Sequence, residues 1–295
     1  CLGGHTYSFR DVRDVMGKAN EEKSGDQLCG VAAQTPQERV AARIVLSEMT
    51  VKEICEHPAV PYEQDEVTRI IQDDISERIY DEHKNMTVSE FREWLLQEET
   101  TTAMIHRASR GLTSEMVSAV CKLMSNLDLI YAAKKIPVTA HCNTTIGLPG
   151  TFSSRLQPNN TTDDPKGIAA SLMEGFSLGC GDAVLGLNPV DDGVESVARI
   201  LKLFDEFKNK WEVPTQICVL AHVTTQTEAV RKFNAPIDLM FQSIAGSQKG
   251  NEAFGLTSAM LEEGRDMMLH HGTSTGPNVM YFETGQGSEL SSDAH

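Results

Sequence analysis

Four polar side chains lying at the ends of β-prone apolar runs are the first candidates for chemistry. They are Arg155 and Gln157 in Arg155-Leu-Gln-Pro158, Asn188 in Gly186-Leu-Asn-Pro-Val190, and Glu283 in Tyr281-Phe-Glu-Thr284. An amide both donates and accepts, a guanidinium donates in a planar fork, and a carboxylate accepts from an ammonium. Such a set suits a small polar substrate with hydroxyl and amine groups. His222, Thr224 to Gln226, Gln242, Ser243 and the run Gly285 to Ser288 occupy the same kind of position. Each residue also has a plainer reading. Arg155 is either a ligand or a surface charge, or a partner for Asp163 or Asp164. Glu283, on an alternating strand, faces solvent or the interior, and Asn188 and Gln157 also serve as loop caps. His222 reads as a general base or a satisfied core histidine, and Lys249 as a Schiff-base lysine or a solvated one.

These residues converge only if the elements around them are parallel βα units, because there the loops that follow the strands gather at one end. The chain after Lys135 has that pattern. Strands are expected at Thr151 to Leu156, Ala183 to Leu187, Gln216 to His222, Leu239 to Ser243 and Met280 to Glu283. Helices are expected at Ile168 to Leu178, Val194 to Trp211, Thr225 to Lys232 and Glu252 to His270. In the second, Val197, Ile200, Leu201, Phe204, Phe207 and Trp211 share one face. The strand starts recur every 23 to 41 residues, around the ~31 of a ~250-residue barrel divided by eight. A doubly wound sheet also accepts five strands but usually carries a glycine-rich nucleotide loop after the first. Gly147-x-x-Gly150 and Gly285-x-Gly287 are too short and wrongly placed for that loop. The expected fold is α/β, a TIM (β/α)8-type barrel with about five βα units in residues 136–295.

Residues 1–135 read as an all-helical domain. Val12, Val15 and Met16 make one apolar stripe; Val40, Ile44, Val45 and Met49 a second; Val67, Ile70, Ile71 and Ile75 a third. Leu112, Met116, Val120, Leu123 and Met124 continue the series. Thr87-x-x-Glu90 ahead of Phe91, Trp94 and Leu95 is a capping box.

Composition narrows the partners. In 295 residues, 42 acidic against 26 basic side chains leave a formal charge of −16, which repels nucleic acid and anionic membrane surfaces. Apolar runs fall far short of the ~18 residues of a membrane span, and Cys1 to Asp11 lacks the pattern of a secretory signal. A soluble intracellular protein is expected. Seven cysteines without a C-x-x-C pair suit free thiols, and no histidine spacing suits zinc, so no protein-bound metal is expected.

The same residues carry a resemblance. Thr144-Thr-Ile-Gly-Leu-Pro-Gly-Thr-Phe-Ser153, Gly186-Leu-Asn-Pro-Val190, Cys218-Val-Leu-Ala-His-Val-Thr-Thr-Gln226, Phe241-Gln-Ser-Ile-Ala-Gly-Ser247 and Tyr281-Phe-Glu-Thr-Gly-Gln-Gly-Ser288 resemble the large subunit of ethanolamine ammonia-lyase. Glu21-Glu-Lys-Ser-Gly25, Leu46-Ser-Glu-Met49 and Gly111-Leu-Thr-Ser-Glu115 extend the similarity through the helical half. The resemblance implies an adenosylcobalamin-dependent radical lyase on a TIM barrel, turning ethanolamine into acetaldehyde and ammonia. Position by position it implies Glu283 on hydroxyl and amine, Arg155 and Asn188 on the hydroxyl, and Gln157 towards the amine. Pro189, Gln242, Ser243, Phe254 and Ser291 match positions lining the cobalamin or its adenosyl group. It further implies a small-subunit partner, self-association of large subunits, and a place in the cytoplasm or a bacterial microcompartment.

Two departures accompany the match. Ala253 stands where an acidic residue near the adenosyl ribose is expected, with Glu252 beside it. The resemblance implies a barrel that continues through three more βα units, whereas this sequence ends at Ser291 to His295 after the fifth expected strand and begins at Cys1. An N-terminal portion of the subunit is therefore expected, with a noncatalytic fragment keeping only subunit-interaction surfaces as the alternative. The nearest Asp-x-His-x-x-Gly, Asp81-Glu-His-Lys-Asn-Met86, ends in methionine, compatible with a family that keeps the cofactor's own base on cobalt.

Overall fold

The computed structural model describes residues 1–284. Gly285 to Ser288 and Ser291 lie outside the described residues. The chain divides into two compact units, Cys1–Pro137 with Ser247–Lys249, and Val138–Gly246 with the described residues from 250 on. No helix among the described residues is long and apolar enough to cross a membrane.

The first unit is helical: α1 (Val12–Ala19), α2 (Ser24–Leu28), α3 (Pro36–Glu48), α4 (Val51–Glu56), α5 (Glu66–Asp73), α6 (Glu77–His83), α7 (Val88–Leu96), α8 (Thr102–Ser109), α9 (Ser114–Lys122) and α10 (Asn126–Lys134). Short polar residues start most of them. The hydroxyls of Thr35, Thr50, Thr87, Thr101, Thr113 and Ser125 each accept a backbone N–H two or three positions into the next helix, where losing such a cap costs about 1 kcal/mol. The expected capping box is present: Glu90 N–H donates to Thr87 Oγ1 at 3.1 Å and Thr87 N–H to Glu90 Oε2 at 2.8 Å.

The apolar stripes are partly redrawn. Val15, Ala19, Ala42, Leu46, Val51, Ile54, Val88, Phe91, Met116, Val120 and Met124 form the core of this unit. Val40, Ile44 and Val45, expected on the inner face of α3, are exposed, and none of the residues of α5 is buried. On α3 the buried residues are Ala41, Ala42 and Leu46. Close packing against Ala19 of α1 favours small side chains, so the buried face is not the one with the bulkiest residues.

The second unit opens with the antiparallel hairpin β1 (Ala140–His141) and β2 (Thr145–Ile146). There follow β3 (Arg155–Leu156), α11 (Pro165–Ser177), β4 (Val184–Leu187), α12 (Val194–Lys210), β5 (Ile217–Val219), α13 (Val223–Phe233), β6 (Met240–Ile244), α14 (Gln248–Ala253), α15 (Ser258–His271) and β7 (Met280–Thr284). The order β3-β4-β5 is a parallel sheet and β6-β7 a parallel pair. Leu239 N–H donates to Ile217 C=O at 3.1 Å, so the chain entering β6 lies beside β5. Among the described residues these strands do not close into a ring.

Boundaries shift for local reasons. Only the last two residues of the expected first strand pair, because Ser154 N–H is taken at 2.7 Å by Asp182 Oδ1 while Phe152 stands in solvent. The third strand stops at Val219, since His222 turns the chain into α13 by capping it. The expected helix Glu252 to His270 is two helices, separated where Gly255 takes a φ of +68° and Thr257 caps α15.

Alternation along the strands divides their side chains between two faces. Leu185, Leu187, Ile217, Val219 and Met240 join Ile168, Leu172, Val197, Ile200, Leu201, Phe204 and Val230 of the helices in one core. Each such side chain contributes about 1.5–3 kcal/mol by leaving water. The opposite face holds a smaller cluster of Cys142, Val184, Cys218 and Leu239, with Leu220 and Tyr281 packed on it.

Candidate functional site

The two ends of the strands differ. At their N-terminal end the β1–β2 hairpin is tied down by the fully buried Gln216: its Oε1 accepts from the N–H groups of Asn143 and Thr144, each at 3.1 Å, and its Nε2 donates to Ala183 C=O. Asn278 adds a bond from its N–H to His141 C=O at 3.0 Å. Fully buried Asp238 lies at the same end. It accepts from Lys208 Nζ at 2.7 Å, Ile217 N–H at 3.0 Å and Thr273 Oγ1 at 2.7 Å, which compensates its burial. That end is closed by structural contacts, and the candidate residues lie towards the other.

Arg155 occupies the face away from the helices. Its Nη1 donates to Tyr281 Oη at 2.9 Å, and its guanidinium carbon lies 5.7 Å from that ring's centroid. Since Arg155 starts β3 and Tyr281 belongs to β7, a bond between them requires this face to be concave. Room for the guanidinium comes from Gly186 on β4, where an added Cβ would stand 2.9 Å from Cys218 Sγ and 3.2 Å from Arg155 Nε. The Cys218 thiol is pushed up to about 12 by burial, an effect the Arg155 guanidinium opposes. Arg155 Nε and Nη2 are enclosed and have no hydrogen-bond acceptor among the described residues. An unmet buried donor costs about 1–3 kcal/mol, recovered when an acceptor arrives.

Around the C-terminal end stand the other expected residues. Gln157 and Asn188 are exposed and stand immediately after the last residues of β3 and β4. Ser243 pairs in register with Glu283, and both continue the face of Phe241 and Tyr281, whose rings meet edge-on at 5.5 Å. Glu283 is exposed, Ser243 half-buried and Pro189 half-buried. Gln242 lies on the helix side: its Oε1 accepts from Val223 N–H at 2.7 Å and its Nε2 donates to Ser243 C=O at 3.0 Å. Phe254 packs against the main core. Ser291 lies outside the described residues.

The residues with alternative readings fall in different surroundings. Asp163 and Asp164 do not meet Arg155: Asp163 accepts from the β4–α12 loop and Asp164 caps α11 through Gly167 N–H at 2.8 Å. His222 Nδ1 is engaged by Thr224, with Oγ1 at 2.8 Å and N–H at 3.3 Å, and its Nε2 is buried without a partner among the described residues. Lys249 and Glu252 are exposed on α14, as is Ala253. His83 packs in the helical unit against Phe91 and Trp94, with centroids at 5.7 and 5.5 Å. Tyr281 and Gly186 are not among the sequence candidates, and Asp163 is there only as a partner for Arg155; a glycine inside an apolar strand is the available signal for close approach at Gly186.

Parallel βα units with one end plugged by structural contacts define an α/β protein, with the candidate polar residues at the βα-loop end of its strands. The family model for the ethanolamine ammonia lyase large subunit (EutB) matches residues 7–295, and the chain belongs to that family. It is 55% identical over 294 residues to the ethanolamine ammonia-lyase large subunit of Escherichia coli (strain K12) and 54% identical to that of Salmonella typhimurium (strain LT2). Each match covers 100% of this chain and 65% of the relative, so the chain spans about two thirds of their length.

Proposed function

We propose that this chain forms the part of an ethanolamine ammonia-lyase large subunit that holds the amino alcohol, and that β3 to β7 are consecutive staves of a TIM barrel. The observation that carries the reading is the Arg155 guanidinium, bonded to Tyr281 across a concave face with Nε and Nη2 left without acceptors. The sequential parallel order of the strands and the polar C-terminal rim support it. In this reading Arg155 and Asn188 donate to the hydroxyl oxygen of ethanolamine, and Gln157 faces the amine. Glu283 accepts from both the ammonium and the hydroxyl proton, a charge-assisted contact of the stronger kind. Together they hold the hydroxyl-bearing carbon in one orientation, which is the protein's share of the chemistry.

Adenosylcobalamin supplies the hydrogen-abstracting radical when bound. Pro189 and Ser243, half-buried at the open strand ends, fit a corrinoid or adenosyl group approaching that rim. Gln242 spends its amide on the start of α13 and supports Ser243 through that residue's carbonyl. Phe254 lends an apolar edge. His83 is spent on aromatic packing, in keeping with a cofactor that retains its own base. A small subunit, further copies of the large subunit and a microcompartment complete the reading, by likeness to the family.

The test uses the large subunit assembled with its small subunit and adenosylcobalamin. Glu283→Gln and Arg155→Lys are each expected to lower kcat/KM for ethanolamine by roughly 100-fold, the size of a lost charge-assisted bond pair. Lys249→Ala is expected to leave it unchanged. Full turnover in Glu283→Gln, or loss confined to Lys249→Ala, overturns the reading. A chain that binds the small subunit but no ethanolamine would instead favour a purely subunit-binding role.

A further inference from the structure

Asp163 is the least economical residue near the rim. Its backbone has a φ of +49°, a region that a non-glycine residue rarely takes. Its side chain is 3% exposed, and Oδ1 has no hydrogen-bond partner among the described residues. The other oxygen, Oδ2, accepts from the backbone N–H of Val190 at 2.8 Å and of Asp191 at 3.0 Å. One turn earlier in the same loop, Asn159 Oδ1 accepts from Asn188 N–H at 3.0 Å. Two side chains of the β3–α11 loop thereby grip three N–H groups of the β4–α12 loop. Asn188 is itself one of the gripped residues, and only Pro189 stands between the two grips.

A local conformational cost and a half-satisfied buried carboxyl persist only where surrounding structure enforces them, and such positions gather where geometry must be held. Loop caps usually need neither burial nor a positive φ. We propose that Asp163 is a positioning residue, which fixes the β4–α12 loop so that the Asn188 side chain meets the substrate hydroxyl. This rests on the reading of Asn188 as a hydroxyl contact given above. Asp163 touches no substrate; it acts by removing the freedom of the two N–H groups that follow Pro189.

Two substitutions separate geometry from fold. Asp163→Gly accepts the positive φ without strain and removes the grip. Asp163→Asn tolerates the same φ and keeps an oxygen for the two N–H groups. Both are placed in the large subunit assembled with its small subunit and adenosylcobalamin. The readout is discrimination between ethanolamine and ethylamine, which lacks the hydroxyl, taken as the ratio of the ethylamine inhibition constant to the ethanolamine KM. A merely structural role lowers the amount of folded enzyme and leaves that ratio alone. Asp163→Gly is expected to reduce the ratio roughly 10- to 100-fold, as a misplaced contact does, and Asp163→Asn to restore most of it. In an Asn188→Ala background, Asp163→Gly should change the ratio no further. Amide hydrogen exchange at Val190 and Asp191 should quicken in Asp163→Gly and recover in Asp163→Asn.

The outcomes separate cleanly. If Asn188→Ala alone leaves discrimination intact, the contact assigned to Asn188 is wrong and the role of Asp163 falls with it. If Asn188→Ala collapses discrimination while Asp163→Gly does not, the functional reading stands and the positioning role is overturned. A loss in Asp163→Gly that adds fully to that of Asn188→Ala also overturns it.

Discussion

The Gly186→Ala substitution tests whether the concave face is as crowded as the contacts around Arg155 require. A Cβ at position 186 would stand 2.9 Å from Cys218 Sγ, 3.2 Å from Arg155 Nε and 3.2 Å from Leu220 Cδ1. Contacts of that kind need neighbours to give way by several tenths of an ångström. Cys218 is fully buried in a strand and cannot swing aside. Overpacking of a well-ordered interior costs about 1–3 kcal/mol. Cys218→Ala alone removes a buried sulfur and should cost about 1–2 kcal/mol. In the double variant the new methyl at 186 enters the space the sulfur has left, so the two effects should fall short of their sum by at least about 1 kcal/mol. Because the chain has two units, the assay must watch one of them. The protein has 2 tryptophans, Trp94 in the helical unit and Trp211 at the end of α12. In a Trp94→Phe background, urea unfolding followed by Trp211 fluorescence reports the βα unit. A cost below about 0.5 kcal/mol for Gly186→Ala, or strict additivity in the cycle, would falsify the claim that the glycine makes room for Arg155 and Cys218.

Other perturbations give separate checks. Tyr281→Phe removes the hydroxyl at 2.9 Å from Arg155 Nη1 and keeps the ring, so in the assembled enzyme KM for ethanolamine should rise about tenfold with folding intact, the worth of a bond to a charged group; an unchanged KM disproves a role in aiming the arginine. The pH dependence of the helical unit should carry the signature of His83. Burial between Phe91 and Trp94 lowers its pKa below the ordinary histidine value, with Glu82 opposing and Arg107 reinforcing the shift. The unfolded chain therefore binds the proton first as pH falls. Stability from this group is present above about 6.5 and is lost as pH drops towards the lower folded value. Urea midpoints read from Trp94 fluorescence should fall between about pH 7.5 and 5.5, and His83→Leu should flatten that slope. An equal slope in both proteins rules His83 out as its source.

How far the sequence reached differs from element to element. Helix α12 was legible almost completely, because a period of 3.6 held over 17 residues leaves one apolar face, and Val197, Ile200, Leu201, Phe204 and Phe207 are buried as that spacing requires. The capping box at Thr87 was legible because it is satisfied within four residues. The stripe Val40, Ile44 and Val45 misled, since hydropathy marks a candidate face but the partner helix selects the buried one. The expected helix from Glu252 to His270 missed its break because the apolar pattern runs on either side of Gly255.

For the site, the sequence by itself determined the polar residues that follow the strands, the family they resemble, and the alternation that the strands impose on their side chains. These depend on residue type and on the two-residue period of a strand, both local. Only the tertiary structure decided that Arg155 crosses from β3 to Tyr281 on β7, that Gly186 makes room for it beside Cys218, and that Asp163 serves the β4–α12 loop instead of the arginine. Those facts depend on the curvature of the sheet and on which loops it brings together. Residues 126 positions apart become hydrogen-bond partners only once the intervening units have packed, and no local pattern in the chain records that distance.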